Sequence, residues 1–386
     1  MKIENCKLQN DDDAFPHFDA PRFRRALTAW YRRNARPLPW RNTNDPYRIW
    51  ISEIMLQQTT VVAVVPYFER FLERFPTLAV LAAAKEEEVL RLWEGLGYYS
   101  RARNIHKTAR HVVGELGGVF PDDVGGLCEL PGIGRYTAGA IASFAFQRAA
   151  PILEANTLRL YSRLLGFRGD PRTAAGQKLL WDFAARIVPR QDPGPFNQAL
   201  MELGATLCSA DQPGCPSCPV RTCCAAFAGG AQHEIPVRPI RAAPTEITEV
   251  AVAVQRGSKY LLLKRPAGER WAGLWDFVRF AWTAEGNISA ARLASAVRSQ
   301  TGLSVAIGDA VTQIRHSVTR FRITLHCYKA EWAAGDLSDA SREFRWVAPG
   351  RFSQFPLSVT GRRLARLLVT SRGKTKRLTE KLGTEK

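Results

Sequence analysis

No run of eighteen apolar residues occurs anywhere in the 386 residues, so no segment is long enough to cross a bilayer as a helix. The opening stretch, with Asn10-Asp11-Asp12-Asp13, lacks a basic segment followed by an apolar one, and no signal peptide is expected. The eight cysteines are not scattered as in a disulfide framework. Four fall in the spacing Cys208-x6-Cys215-x2-Cys218-x5-Cys224, with Cys223 beside the last, which in a reducing compartment reads as metal ligation. Cys6, Cys128 and Cys327 stand alone and read as buried apolar residues or free thiols. No alternating strand pattern precedes residue 245, so the first 225 residues are expected to be all-α.

What is present points to more than one core and to a polyanion. The chain is too long for one ordinary domain, and its 46% hydrophobic content lets each domain bury a core. Lys and Arg number 54 against 36 Asp and Glu, a formal charge of +18. Basic surface gains affinity for nucleic acid through counterion release.

Residues 1–19 are polar and expected to be disordered. Phe23, Leu27, Trp30 and Tyr31 repeat at helical steps, and Asp45-Pro46 caps a second helix that carries Ile49, Glu53 and Leu56 on one face. A carboxylate on a mostly apolar helix is costly unless paired or protonated, so Glu53 is a candidate proton donor, against the plainer reading of a buried salt bridge. Further helices are expected at 61–75, 85–93, 100–116, on both sides of Leu130, and at 176–187. Gly95-Leu96-Gly97-Tyr98-Tyr99-Ser100-Arg101 reads as a loop whose tips suit a wedge between bases. Leu130-Pro131-Gly132-Ile133-Gly134 suits a tight turn whose N–H groups meet a phosphate, with Glu154 delivered beyond the following helix. After an Ala-, Gly- and Pro-rich linker at 227–246, short β-branched and aromatic runs at 249–254, 260–264, 275–280, 321–328 and 344–347, with a helix at 288–300, define an α+β domain. The expected organisation is a helical domain at 20–226 with its cysteine loop at 208–224, an α+β domain at 247–365 and a basic tail at 366–386.

Leu38-Pro39-Trp40-Arg41, the run Ser52 to Thr59, Gly95 to Arg101, the turn Leu130 to Gly134, the run Phe196 to Gly204 and the four-cysteine spacing occur in one order. In this the chain resembles the MutY-type adenine DNA glycosylases over nearly all of 20–365. The resemblance implies a helix-hairpin-helix glycosylase domain followed by a Nudix-like lesion-reading domain. It implies a [4Fe–4S] cluster on Cys208, Cys215, Cys218 and Cys224, with zinc on the same four thiolates as the alternative. It implies Glu53 as the acid that protonates adenine, Glu154 as the carboxylate facing the oxocarbenium-like sugar, and Tyr136 as a hydroxyl supporting Glu154. Asn156, Arg41 and Gln198 are implied in the pocket, Gln58, Leu96 and Tyr98 at the base stack, and Pro131, Gly132, Ile133 and Gly134 on the DNA backbone. Endonuclease III-like relatives carry lysine where Tyr136 stands, so little lyase activity is expected.

Two positions depart from the family. Glu154 replaces an aspartate, and Val318-Thr319-Arg320 replaces a Phe-Ser-His tip, leaving Thr319 and Arg320 to meet the lesion. The helix at 296–302 lacks the glutamates of a hydrolytic Nudix box, so this domain reads rather than hydrolyses. The expected function is excision of adenine opposite 8-oxoguanine or guanine. Alternatives are a paralogue retuned to another mismatch or damaged base, and a mismatch- or lesion-binding protein without catalysis. The expected partner is double-stranded DNA with a mismatch or oxidised base, met by a cytoplasmic, nucleoid-associated monomer without membrane contact.

Overall fold

The computed structural model describes residue 15 and residues 18–238, 243–283, 287–337 and 342–382, the stretch beyond 370 as backbone alone. The expectations for 1–19, apart from Phe15, Phe18 and Asp19, and for the side chains of the tail beyond 370 lie outside the described residues. Two compact units divide the chain: Met1–Ala83 with Asn104–Ile240, and Ala84–Arg103 with Arg241–Lys386.

The first unit is helical. It holds α1 (Ala20–Asn34), α2 (Pro46–Leu56), α3 (Val61–Arg74) and α4 (Leu78–Ala83), while α5 (Glu86–Leu92) falls in the second unit. The chain continues through α6 (Ser100–Glu115), α7 (Val124–Glu129), α8 (Arg135–Phe144), α9 (Ala155–Leu165), α10 (Ala174–Ile187), α11 (Pro193–Thr206) and the short α12 (Ala225–Ala228). Starts follow local chemistry: Asp19 accepts from Arg22 N, Asp45 from Tyr47 N and Thr60 from Ala63 N, each satisfying an orphan amide. Phe23, Leu27, Tyr161, Phe183, Phe196 and Leu200 form the main core, joining α1, α9, α10 and α11. No expectation had singled out α4, α9 or α11.

Between α7 and α8 the chain turns at Leu130–Gly134. Gly132 sits at φ +77°, and a Cβ there would lie 2.6 Å from the Asn104 side chain, so this position requires glycine twice over. Leu130 and Ile133 are buried beneath the turn.

The second unit is an α+β fold. Its sheet contains β1 (Thr245–Arg256), β2 (Lys259–Lys264), β3 (Trp275–Asp276), β4 (Val278–Ala281), β5 (Ser304–Val318), β6 (Phe321–Ala334) and β7 (Phe344–Val347). The path is β3-β2-β1-β6-β5, with β4 also on β1 and β7 on β2; β1 and β6 run parallel and β5 and β6 form a hairpin. Leu293 and Val297 of α13 (Ala290–Thr301) pack in one apolar cluster, and Leu364, Ala365 and Leu368 of α14 (Val359–Leu382) in another.

Three features differ from expectation. Ala84–Arg103 belongs to the second unit, because Glu87 accepts from Trp275 Nε1 (3.0 Å), Glu94 takes both arms of Arg362 (2.7 and 2.8 Å) and Arg103 donates to the Ala272 carbonyl (2.5 Å). The stretch read as a linker is docked through its first half: Ala226, Ala231 and Ile235 form a small core, and Arg163 Nε donates to Ile235 O at 2.9 Å. Strand β5 is absent from the sequence reading because its register shifts at Ile307/Ala310 and Ala310/Thr312 break the alternation.

Candidate active site

A cavity of about 630 Å³ opens in the first unit, and Glu53, Tyr136, Glu154, Asn156, Arg41, Gln58 and Gln198 all line it. Helix α2 brings Glu53, which is 3% exposed among Ile49, Ile54 and Met55. Burial lifts its carboxyl from 4.5 to about 7; the Tyr136 hydrogen bond opposes that rise, and the Glu154 charge adds to it. Half of such a group keeps its proton at neutral pH, as a general acid requires.

Tyr136, in the first turn of α8, donates to Glu53 Oε2 at 2.6 Å. This corrects the expected partnership with Glu154, whose oxygens are already engaged. Glu154 is the N-cap of α9: it accepts from Asn156 N and Thr157 N, both at 2.9 Å, while the Thr157 hydroxyl and the Glu154 amide complete a capping box. Burial raises the Glu154 carboxyl, and the Asn156 and Thr157 amides oppose that rise. The cap also fixes Asn156, whose Nδ2 donates to Glu154 Oε2 at 3.4 Å.

Two glycines let these elements close. A Cβ on Gly139 would stand 2.3 Å from Pro151 O, and one on Gly204 would stand 2.8 Å from the Asn156 Cβ. Helices α8 and α11 therefore press directly against the segment that carries Glu154 and Asn156.

Arg41 and Arg36 both bind Glu202, whose side chain is fully buried, at 2.6 Å each. Burial would raise the Glu202 carboxyl, but the two arginines hold it below its usual value. Arg41 thus reaches the cavity as part of an ion triad, and Gln198 accepts from the Tyr31 hydroxyl at 2.8 Å. Sequence reasoning missed Arg36, Glu202 and Arg159. Glu202 carried the same signal as Glu53, a carboxylate within the apolar run Phe196–Gly204. Arg159 donates to Asn156 Oδ1 (2.9 Å), Gly204 O (2.6 Å) and Cys208 O (2.7 Å), a bridge that only the fold brings together.

Gln58 is exposed at φ +57°, at the rim of the cavity. Leu96 and Tyr98 belong to the second unit. Leu96 is 7% exposed and its carbonyl accepts from Arg101, while Tyr98 is the exposed tip. In the hairpin turn, the Pro131 carbonyl accepts from Thr108 Oγ1 at 2.7 Å. Ile133 is buried with its amide bonded to Leu130 O at 3.1 Å, which corrects its expected outward N–H; Gly132 and Gly134 are exposed. Thr319 and Arg320 sit exposed at the β5–β6 turn, Thr319 at φ +52°.

Among the described residues no three His, Cys, Asp or Glu side chains are grouped as a ready-made metal site. Cys208, Cys215, Cys218 and Cys224 nonetheless line one small cavity beside Arg163, and Cys223 is not part of its lining. Burial pushes the Cys215 and Cys224 thiols up and that of Cys218 to about 12. Four thiols converging on one small cavity, with Arg163 Nη1 3.3 Å from Cys208 Sγ, are a donor set that fits an all-thiolate centre.

The model of the HhH-GPD superfamily base excision DNA repair proteins matches residues 51–186, and that of the NUDIX domain matches 249–367. A mouse protein named adenine DNA glycosylase is 32% identical over 412 residues, spanning 93% of this chain and 80% of its own. The chain belongs to the adenine DNA glycosylase family. An Arabidopsis thaliana family member is 37% identical over 69% of this chain; the chain spans 48% of that relative's length, about half. A solved thermostable thymine-DNA glycosylase is 28% identical, covers 54% of this chain and 97% of its own, and superposes with a TM-score of 0.50.

Proposed function

We propose that this protein is a monofunctional DNA glycosylase that removes adenine mispaired with 8-oxoguanine or guanine. One observation carries the reading: Glu53 is a buried carboxylic acid held near neutrality in a cavity it shares with a second, capped carboxylate, Glu154. The base must first leave the duplex, for which a cavity of about 630 Å³ has room. Glu53 then protonates adenine N7, so the bonding pair of the C1′–N9 bond leaves with a neutral base. Tyr136 orients the acid by donating to one oxygen and leaving the other to carry the proton. Glu154, fixed by two amides, faces the developing positive charge on the sugar. Water adds to C1′ and gives its proton to the Glu53 carboxylate, which restores the acid. Tyr136 has no amine for a Schiff base, so the product is an abasic site in an intact strand.

Cys208, Cys215, Cys218 and Cys224 would hold a [4Fe–4S] cluster, or zinc in its place, and either would supply a structural pin for the loop at 208–224. Thr319 and Arg320 would meet the base opposite adenine. A second reading has one specific support. Glu154 and Val318-Thr319-Arg320 depart from the family pattern at both defining places, which suits a paralogue acting on another pair.

Single-turnover excision on A:8-oxoG, A:G, A:C, T:G and 8-oxoG:C duplexes separates these readings. Fast adenine loss from the first two supports the primary reading, and base loss confined to another duplex supports the second. Binding to all with no base released contradicts both. Efficient borohydride trapping on an abasic duplex would refute the monofunctional assignment.

A further inference from the structure

Within the second unit, the turn between β5 and β6 stands on a buried ionic cluster that the mechanism above does not use. Arg279 of β4 has a side chain 1% exposed. Its Nε donates to Glu249 of β1 (2.6 Å), and its Nη1 to Thr360 of α14 (2.8 Å) and Asp276 of β3 (3.3 Å). Its Nη2 lies 3.4 Å from His316 Nε2 on β5. A guanidinium cannot accept, so that His316 nitrogen is the acceptor and the ring's proton sits on Nδ1. The same guanidinium lies 4.2 Å from the centre of the Trp271 ring, and Trp271 takes the left-handed conformation, φ +62°. One arginine thus joins four elements to its own strand and reaches His316, three positions before the Thr319–Arg320 tip.

The far side of the hairpin is held by the same carboxylate. The second oxygen of Glu249 binds Arg270 at 2.9 Å, and Arg270 lies 5.0 Å over the ring of Phe321, the first residue after the tip. The Thr245 amide donates to the Arg320 carbonyl at 2.8 Å. His316, Ser317, Val318 and Thr319 with Tyr98 line a cavity of about 490 Å³ in this unit. The tip is exposed and two residues long, yet both of its stems are tied to one core.

Burying Arg279 against Glu249 and Asp276 is a poor way to add stability, since well-packed apolar side chains would serve as well or better. These acids also do not form a Nudix metal site, because α13 carries no acidic residue. What such a network supplies is a fixed position. We propose that Arg279, locked by Glu249, is a positioning residue for the Val318–Phe321 turn and sets discrimination for the base opposite the excised one. This rests on the reading of that turn as the lesion reader. It acts on recognition, not on the excision step.

The test uses the full-length protein and duplexes in which a 2′-fluoro-adenosine, which resists excision, faces 8-oxoG or G. Arg279→Met and Arg279→Lys are compared with wild type for the ratio of the two Kd values. The single-turnover rate on ordinary A:G at saturating enzyme and amide exchange at 317–322 are measured alongside. The expected result is a ratio reduced about tenfold to a hundredfold in Arg279→Met, faster exchange confined to the turn, and an excision rate within about twofold of wild type. Arg279→Lys, which keeps the charge but loses the fork, falls between. An unchanged ratio in both variants, or a rate that falls while the ratio holds, overturns the proposal. Should Arg279→Met fail to fold, Glu249→Gln carries the same expectation. A wild-type protein that does not discriminate refutes the lesion-reading assignment itself; a discriminating wild type with indifferent variants refutes only the clamp.

Discussion

Replacing Glu53 with glutamine removes the acid and should also make the protein more stable at alkaline pH. In the folded state the carboxyl is raised from 4.5 to about 7. A carboxyl with a raised folded value favours the native state while protonated and costs stability once it must ionise inside. The cost therefore begins as pH rises through 4.5 and is complete above about 7. At about 1.4 kcal/mol for each pH unit, the full cost is about 3 kcal/mol, of which about 2.5 kcal/mol is incurred between pH 5 and pH 8. Glutamine cannot ionise, and its amide oxygen still accepts from the Tyr136 hydroxyl. Any constant penalty from burying the amide nitrogen cancels when the two pH values are compared. Thermal melting of wild type and Glu53→Gln at pH 5 and pH 8 provides the assay. The variant's advantage should grow by about 5–10 °C from the lower to the higher pH, at about 2–4 °C per kcal/mol. A gap in melting temperature that stays constant with pH, or narrows towards pH 8, would refute the claim that Glu53 is buried and poised.

Glu202→Gln should leave Arg36 and Arg41 without their counter-ion and destabilise the protein by about 3 kcal/mol at pH 7, the low end for a broken buried pair because Arg36 is 38% exposed. Since Glu202 is held below its usual 4.5, that deficit should shrink as pH falls below 4.5, which a urea titration at pH 7 and pH 4 would check. Gly139→Ala puts a methyl 2.3 Å from Pro151 O and must move the segment carrying Glu154; a displacement near 1 Å predicts about a hundredfold slower excision with DNA affinity retained. Cys224→Ser should lose the visible absorbance of an iron–sulfur centre while Cys223→Ser keeps it, read from spectra of the purified variants. Equal loss in both would reassign the fourth ligand.

The two-domain class was legible because long helical periods stop near residue 225 and β-branched runs begin after 245. The candidate site was partly legible: a carboxylate inside an apolar helix marks Glu53, whereas Glu154 was reached through its place beyond the turn and the family resemblance, since the helix it caps was not expected. The identical signal at Glu202 went unread because its partners, Arg36 and Arg41, lie more than 160 positions away. Distance in the chain also hid the membership of Ala84–Arg103 in the second unit, which depends on Trp275 and Arg362. Tyr136 was assigned to the wrong carboxylate because sequence cannot reveal that Glu154 spends its oxygens on the amides of its own helix. Strand β5 was lost to its own bulges, and with it the buried Arg279 cluster, whose members come from five separate elements.

The central claim is that Glu53, protonated near neutrality, drives adenine release. The pH profile of single-turnover adenine excision from an A:8-oxoG duplex tests it most directly, with Glu53→Gln as the control. The rate should be highest below about 7 and fall roughly tenfold per pH unit above it, with no excision by the variant at any pH. A rate that is flat from pH 6 to pH 9, or a Glu53→Gln enzyme that still releases adenine at a comparable rate, would contradict it.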